Sequence, residues 1–451
     1  MRKPMTTQIN AAVTDAGTTP SLSPTPAPSR NRSRYYPWLV FALAFGLLLS
    51  DYMSRQVLSS VFPLLKQDWA LADSQLASLT SIVALMVGLL TFPLSLIADR
   101  WGRVRSLVIM AVLWSVATLL CAVAQNYEQM LGARFLVGVG EAAYGSVGIA
   151  LVLSVFAPRL HATLSGAFMA GGSFGSVLGV ALGGIIAVNL GWRWSFAAMA
   201  VLGLLLVAAF RALVTEDKIA RHAVDESAAP AAESAGKKFR APVSSLFTNP
   251  AVVCAYIGGG LQMFTAAILL AWTPSFFFRY YGLPTDRAAM AAAGIVLLVG
   301  AGMVVCGFIT DRLSRGDATR KWLIAIGFCS ISLISLIVGF SLGTGPVQLI
   351  ALGIGAFFAA GSSGPTAAMV ANLTHSSIRA SAMGTLTVAN NLLGLALGPF
   401  IVGLLADHIG LLAALKLSPL VYIGAIAALV IGRRLHPVGM RKLAQLNGAS
   451  A

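Results

Sequence analysis

The chain has 451 residues, of which 57% are hydrophobic and only 10% charged, and its mean hydropathy is +0.82. Soluble domains carry about 25% charged residues, so this composition excludes a soluble enzyme or binding module and describes a chain that crosses a membrane many times. The net charge of +15 invites a nucleic-acid reading, which the placement of the basic residues removes.

The first 35 residues are rich in Pro, Ser, Thr and Ala and read as disordered; no apolar run precedes the Arg30 to Arg34 cluster to make a signal peptide. Apolar runs long enough to cross about 30 Å of hydrocarbon as helices then begin near residues 36, 74, 104, 129, 160 and 193, and again near 250, 288, 322, 347, 377 and 410. These are twelve spans in two groups of six. The Lys and Arg residues gather in the termini and in every second connection: "RVR" at 103 to 105, Arg159, the 211 to 240 linker, "DRLSRGDATRK" at 311 to 321, Arg379, and "GRR" to "MRK" near the end. This is the positive-inside alternation. It predicts a multi-pass protein with both termini cytoplasmic and removes nucleic acid as a partner; uncleaved spans without an organelle signal point to a bacterial inner membrane.

The polar stretch "TEDKIARHAVDESAAPAAESAGKKFRAP" divides the chain. The expected plan is a disordered terminus over 1–35, a six-helix bundle over 36–214, a cytoplasmic linker over 215–248, a second bundle over 249–435 and a tail over 436–451. The loop after span two, "SLIADRWGRVRS", is echoed after span eight by "GFITDRLSRGDATRK", so Asp99 and Arg100 return as Asp311 and Arg312. The fold class is therefore all-α and membrane-spanning, with two pseudo-symmetric bundles from an internal duplication. Asp-Arg at a helix end suits a gate: Arg binds a carboxylate or terminal carbonyls, and Asp caps a neighbouring helix.

Span one carries "LLLSDYMSRQVLSS", with Asp51 about 15 residues into the membrane, near its midplane, and Arg55 one turn further on. Span four runs the other way through "GARFLVGVGEAAYGS", which brings Glu141 to similar depth and leaves Arg134 two turns away on the same face. Each such charge costs about 2.5–3.5 kcal/mol to insert, and four together exceed what packing requires. The expectation is a shared cavity in which all four side chains meet. Burial and a neighbouring Arg pull a carboxyl group's proton affinity in opposite directions, so Glu141 or Asp51 can change protonation as water access changes. Arg55 and Arg134 are then free to hold an anion. The alternative reading is two structural ion pairs that only set helix register. Span seven to span eleven offer neutral candidates, Gln262, Asn390 and Asn391, while Tyr52, Tyr144 and Trp272 are candidates for an aromatic lining.

At this point the chain resembles the major facilitator superfamily over residues 36 to 435. The superfamily's loop signature, Gly-x-x-x-Asp-Arg-x-Gly-Arg, is matched by Asp99, Arg100, Gly102 and Arg103, with Ser95 in place of the first Gly; Arg134, Gly138 and Gly140 match its fourth-span motif. "GVGEAAY" closely resembles the spinster-like branch, and Asp51-Tyr52-Met53-Ser54-Arg55 keeps that branch's Tyr, Met and Arg while its acid lies three positions earlier. The anion:cation symporter branch also tends to carry an Arg here. Drug antiporters usually have Gly-Pro in span five, where this chain has Gly179-Val180. The Gly171, Gly175, Gly179, Gly183 stripe and its counterpart at Gly394, Gly398 and Gly403 read as close helix contacts, not phosphate loops.

The resemblance implies alternating access by two rocking bundles. The expected function is proton-coupled transport of an organic anion or anionic amphiphile, with drug efflux or passive facilitation as alternatives. The expected partners are the substrate, protons and the lipid bilayer. A monomer without cofactor, metal site or enzymatic activity is expected.

Overall fold

The computed structural model describes residues 35–157, 160–222, 242, 244–315, 317 and 319–448; the side chains of Asp99, Ala162, Ala220, Ser376, Ala380, Asn447 and Gly448 are also outside the description. All of the expected disordered segment 1–35 except Tyr35, and most of the linker, lie outside the described residues. Among those described, twelve helices are long and apolar enough to cross a membrane. They are α1 (Tyr36–Trp69), α2 (Asp73–Ala98), α3 (Arg103–Val123), α4 (Tyr127–Ser154), α5 (Thr163–Leu190) and α6 (Trp192–Leu213), then α7 (Pro250–Tyr281), α8 (Thr285–Leu313), α9 (Arg320–Ser341), α10 (Pro346–Asn372), α11 (Ser381–Ile409) and α12 (Leu411–Leu446). A short helix, Glu216–His222, follows α6, and the last helix continues through Gly448.

Backbone geometry repeats between the halves. The α5–α6 turn rests on Gly191 (φ 94°, ψ 154°) and the α11–α12 turn on Gly410 (φ 82°, ψ 152°), a region that a side chain would strain. Both turns let one helix end and the next begin at a single residue. The fourth span of each half is interrupted: α4 breaks after Glu141 and resumes at Tyr144, while α10 breaks after Ala359 and resumes at Ser363. Non-helical backbone at membrane depth needs other partners for its polar groups. In α4 the Thr91 hydroxyl donates to Ala142 O at 2.6 Å; in α10 Ala359 O accepts from Gln262 Nε2 at 2.9 Å and from the Tyr422 hydroxyl at 3.1 Å. Hydropathy alone reads both spans as unbroken, because Ala, Gly and Ser supply the breaks without lowering apolar content.

The glycine stripes are contact surfaces. A methyl group on Gly175 would sit 2.5 Å from Leu49 O, and one on Gly179 would sit 2.7 Å from Met53 O, so α5 packs backbone to backbone on α1. The equivalent pair in the second half is α11 on α7, where Gly398 meets Phe264 O at 2.5 Å. Between the halves the seam is built by α2 on α11, α5 on α8 and α1 on α7. It includes Gly403 against Asp73 O and the Phe62 ring 5.5 Å from Trp272.

Candidate transport site

The α4 break leaves Glu141 as the last residue of a helical segment, beside α1. Its Oε2 accepts from Arg55 Nε at 3.0 Å and from Arg55 Nη2 at 2.7 Å. Glu141 is 1% exposed, whereas Arg55 keeps 21% of its side chain accessible. Asp51 lies against Glu141, carboxyl to carboxyl. Without a proton between them, Asp51 Oδ1 and Glu141 Oε1 have no hydrogen-bond donor. The arrangement therefore joins one cation to two acidic groups through Glu141. An Asp51–Arg55 pair along α1 is not the bonded contact; the guanidinium crosses to α4 instead.

Arg134 corrects the expectation that all four charged side chains share one cavity. It is fully buried, and its Nε, Nη1 and Nη2 donate to Leu79 O, Ser54 O and Arg55 O, each at 3.2 Å. The fork fits three main-chain carbonyls on α1 and α2, which a flexible point charge would not. It bolts α4 to both helices and fixes the backbone of Arg55 itself. An anion cannot reach it in this conformation.

The aromatic candidates separate in the same way. Tyr52 is half-buried, with its ring 5.6 Å from the Arg55 guanidinium carbon and close to Gly172 of α5. Tyr144 is fully buried, donates to Ala44 O at 2.9 Å and stands edge-on to Trp114, so it belongs to the bundle wall. Trp272 is also fully buried, donating to Pro399 O at 3.2 Å, and belongs to the seam with Phe62. A lining role is thus left to Tyr52.

In the second half, Gln262 is buried between Ala359 O and the Ser362 hydroxyl, which donates to its Oε1. It completes the α10 break. Asn390 and Asn391 open a π-helical stretch, Asn390–Ala396, within α11. Such bulges recur at functional sites because they turn side chains out of α-helical register. The Oδ1 atoms of both asparagines have no hydrogen-bond partner. Asn391 Cβ lies 3.0 Å from the position a Gly88 methyl would take, which sets this stretch on the seam with α2. The adjacent amides in "NNLLG" were a visible signal for a polar site; the bulge itself had none.

The side of the molecule opposite the termini carries an ionic cluster that sequence reasoning missed. Asp73, at the start of α2, accepts from Lys66 at 2.6 Å and from both Arg279 Nη atoms at 2.7 and 2.6 Å. Arg279 ends α7, so this bidentate pair joins the two bundles. Asp407, near the end of α11, caps α2 by accepting from Asp73 N at 2.7 Å and Ser74 N at 3.1 Å. Carboxylates at helix starts and arginines at helix ends, in short turns, were the available signal.

On the terminal side, Gly102 adopts φ 92°, and Glu216 from the short helix after α6 approaches so closely that any side chain at 102 would strike it. Glu216 accepts from Val104 N at 2.8 Å and so caps α3. Arg103 reaches Ala150 O at 3.3 Å; Arg100 is exposed, and the Asp99 side chain is outside the described residues. In the echoed loop Asp311 and Arg312 are exposed. There Asp317 organises the turn, accepting from Thr319 N at 2.8 Å and Thr319 Oγ1 at 2.6 Å, which hold its carboxyl below its ordinary range.

Among the described residues, twelve spans in two repeated bundles, with an ionic cluster at mid-depth and a salt-bridged seam on the side opposite the termini, are the architecture of a secondary transporter. The chain belongs to the Major Facilitator Superfamily, whose description it matches over residues 44–392. It is 26% identical over 331 residues to a probable L-galactonate transporter of Escherichia coli (strain K12), covering 71% of this chain and 73% of that one. To the hexuronate transporter of Bacillus subtilis (strain 168) it is 23% identical over 383 residues, covering 83% and 88%. Its fold matches the crystal structure of a bacterial homolog of the human lysosomal transporter Spinster, inward-facing and occupied, with a TM-score of 0.74 at 18% identity, over 92% of this chain and 99% of that one.

Proposed function

We propose that the protein is a proton-coupled transporter of a small organic anion, a monomer in a bacterial inner membrane with both termini in the cytoplasm. The observation that carries this reading is Glu141 held between Arg55 and Asp51. Two carboxyl groups in contact share one proton more readily than they both ionise. With one shared proton the pair carries a single negative charge, which Arg55 balances. A second proton neutralises both acids and leaves Arg55 with an uncompensated charge, ready for a substrate carboxylate. Proton and anion then enter together, and neither state leaves a bare charge in the membrane.

Asn390 and Asn391, with unpartnered amide oxygens, supply acceptors for substrate hydroxyls from the second bundle. The two relatives are named for L-galactonate and hexuronate, which are hydroxylated carboxylates, and this supports the choice over an amphiphile or a drug. The bonded seam at Asp73 and Arg279 corresponds to a closed outer face, and its release accompanies outward opening.

Purified protein in proteoliposomes tests the reading. An inward proton gradient is expected to drive uphill uptake of labelled glucuronate or galactonate, abolished by a protonophore. Uptake that only runs down the solute gradient and ignores pH would overturn the coupling. Glu141→Gln is expected to abolish proton-driven uptake and keep part of the counterflow exchange; equal loss of both in a folded variant returns Glu141 to a structural role.

A further inference from the structure

On the terminal side of the second bundle, a cavity of about 300 Å³ lies between three segments that precede α7, connect α10 to α11, and end α12. Its polar wall contains Ser244, Ser245, Thr248, His375, Lys442 and Gln445. We propose that this cavity binds a phosphate group, presented by an anionic phospholipid or by a free phosphorylated compound.

The walls are tied together independently of any ligand. Asn249 is 5% exposed; its Nδ2 donates to Leu373 O at 3.2 Å and to Gly439 O at 3.4 Å, while its Oδ1 accepts from Ala251 N at 3.2 Å. One side chain thus joins the starts and ends of three helices. The cavity is preformed, at the small end of the roughly 300–1,000 Å³ range of ligand sites.

The lining chemistry selects an oxyanion. Lys442 donates to Thr248 O at 2.6 Å, and an ammonium group has three N–H donors, so two remain for an acceptor. Hydroxyls from Ser244, Ser245 and Thr248 stand around it. Segments 242–249, 373–375 and 439–446 contain no Asp or Glu, while Arg441 lies within the last of them and Arg379 follows the second. A cation would meet only like charge here. Leu443 and Leu446 line the same cavity, so an anion that carries acyl chains finds apolar contact beside its headgroup. Basic pockets at helix ends on the positive side of a membrane have this combination.

The test uses full-length protein in detergent, read by native mass spectrometry with dioleoylphosphatidylglycerol and by thermal unfolding with inorganic phosphate. Wild type, Lys442→Arg and the control Arg315→Gln are expected to retain one lipid adduct, and Lys442→Gln to retain it at least five-fold less. Ser245→Phe, which fills the cavity and leaves Lys442 in place, is expected to lose it as well. Lysine-dependent thermal stabilisation by phosphate, with lipid retention equal in all variants, assigns the site to a free phosphate compound. Equal lipid retention and equal phosphate response in wild type, Lys442→Gln and Ser245→Phe would overturn the proposal.

Discussion

The two bundles share a backbone plan and differ in chemistry. Both break their fourth helix at mid-depth and satisfy the freed carbonyls with side chains from a neighbouring helix. At the first break stands Glu141, bonded to Arg55 and beside Asp51; at the second stand Ser362 and Gln262, which bond to each other and to the main chain. Duplication supplied one scaffold twice, and among the described residues charged groups stand at the break of the first copy while neutral ones stand at the break of the second. A charged copy can couple to protons; a neutral copy can move against it without carrying charge across the membrane.

The largest expected effect on this contrast is at Arg55. Arg55→Ala removes the only partly exposed cation among the four groups and strands Glu141 beside Asp51. Loss of a charge-assisted contact to substrate is worth about 3 kcal/mol, so affinity for glucuronate is expected to fall roughly 100-fold. Ligand-induced thermal stabilisation checks it, and an unchanged shift would remove Arg55 from the binding site.

Arg134 should behave differently although it carries the same charge. Arg134→Lys keeps the cation and loses the fork to Leu79, Ser54 and Arg55 carbonyls, at a cost of about 2 kcal/mol in stability. The unfolding midpoint is expected to drop without ligand, with substrate affinity falling much less than in Arg55→Ala. The reverse pattern would restore Arg134 as a ligand.

These two arginines mark how far sequence carries. The twelve spans, the duplication and the depth of Asp51, Arg55 and Glu141 follow from hydropathy, charge placement and helical rise. Direction around the helix axis does not: a seven-residue spacing puts Arg134 and Glu141 on one face, yet a long guanidinium reaches sideways to carbonyls that no sequence marks. Tyr144 and Trp272 differ from Tyr52 for the same reason. Their positions are polar-tipped aromatics in apolar runs, and only packing decides which tip finds a buried carbonyl. The Asp73 cluster has a local hint in a carboxylate at a helix start and an arginine at a helix end, but its partners stand more than two hundred positions apart and nothing local pairs them; the α11 bulge depends on hydrogen-bond register and has no local signature.

The seam offers the next test. Asp73→Asn leaves Arg279 and Lys66 facing a neutral amide and removes the bidentate pair between bundles. Arg279 is partly exposed, so screening limits the effect to about 1 kcal/mol, a roughly five-fold shift toward a state open on that side. Ala289, which meets Gly184 across the α5–α8 seam, reports it: Ala289→Cys is expected to label faster with an impermeant maleimide in the Asp73→Asn background, read at that residue by peptide mass spectrometry. Equal labelling in both backgrounds means that apolar contact, not the ion pair, holds this side of the seam closed.

The smallest effect is expected in the neutral bundle, and it separates binding from coupling. Asn390→Ala removes an amide whose oxygen has no partner in the protein, so its loss leaves no orphaned group and costs little stability. Interhelical or ligand hydrogen bonds at this depth are worth about 0.6 kcal/mol on average, which sets the expected rise in KM at roughly three-fold. The proton dependence of uptake should stay as in wild type, because Asn390 touches none of the groups that would hold the proton. A KM change together with a displaced pH dependence would mean that the neutral bundle senses protonation. The division between a charged copy that couples and a neutral copy that recognises would then fail.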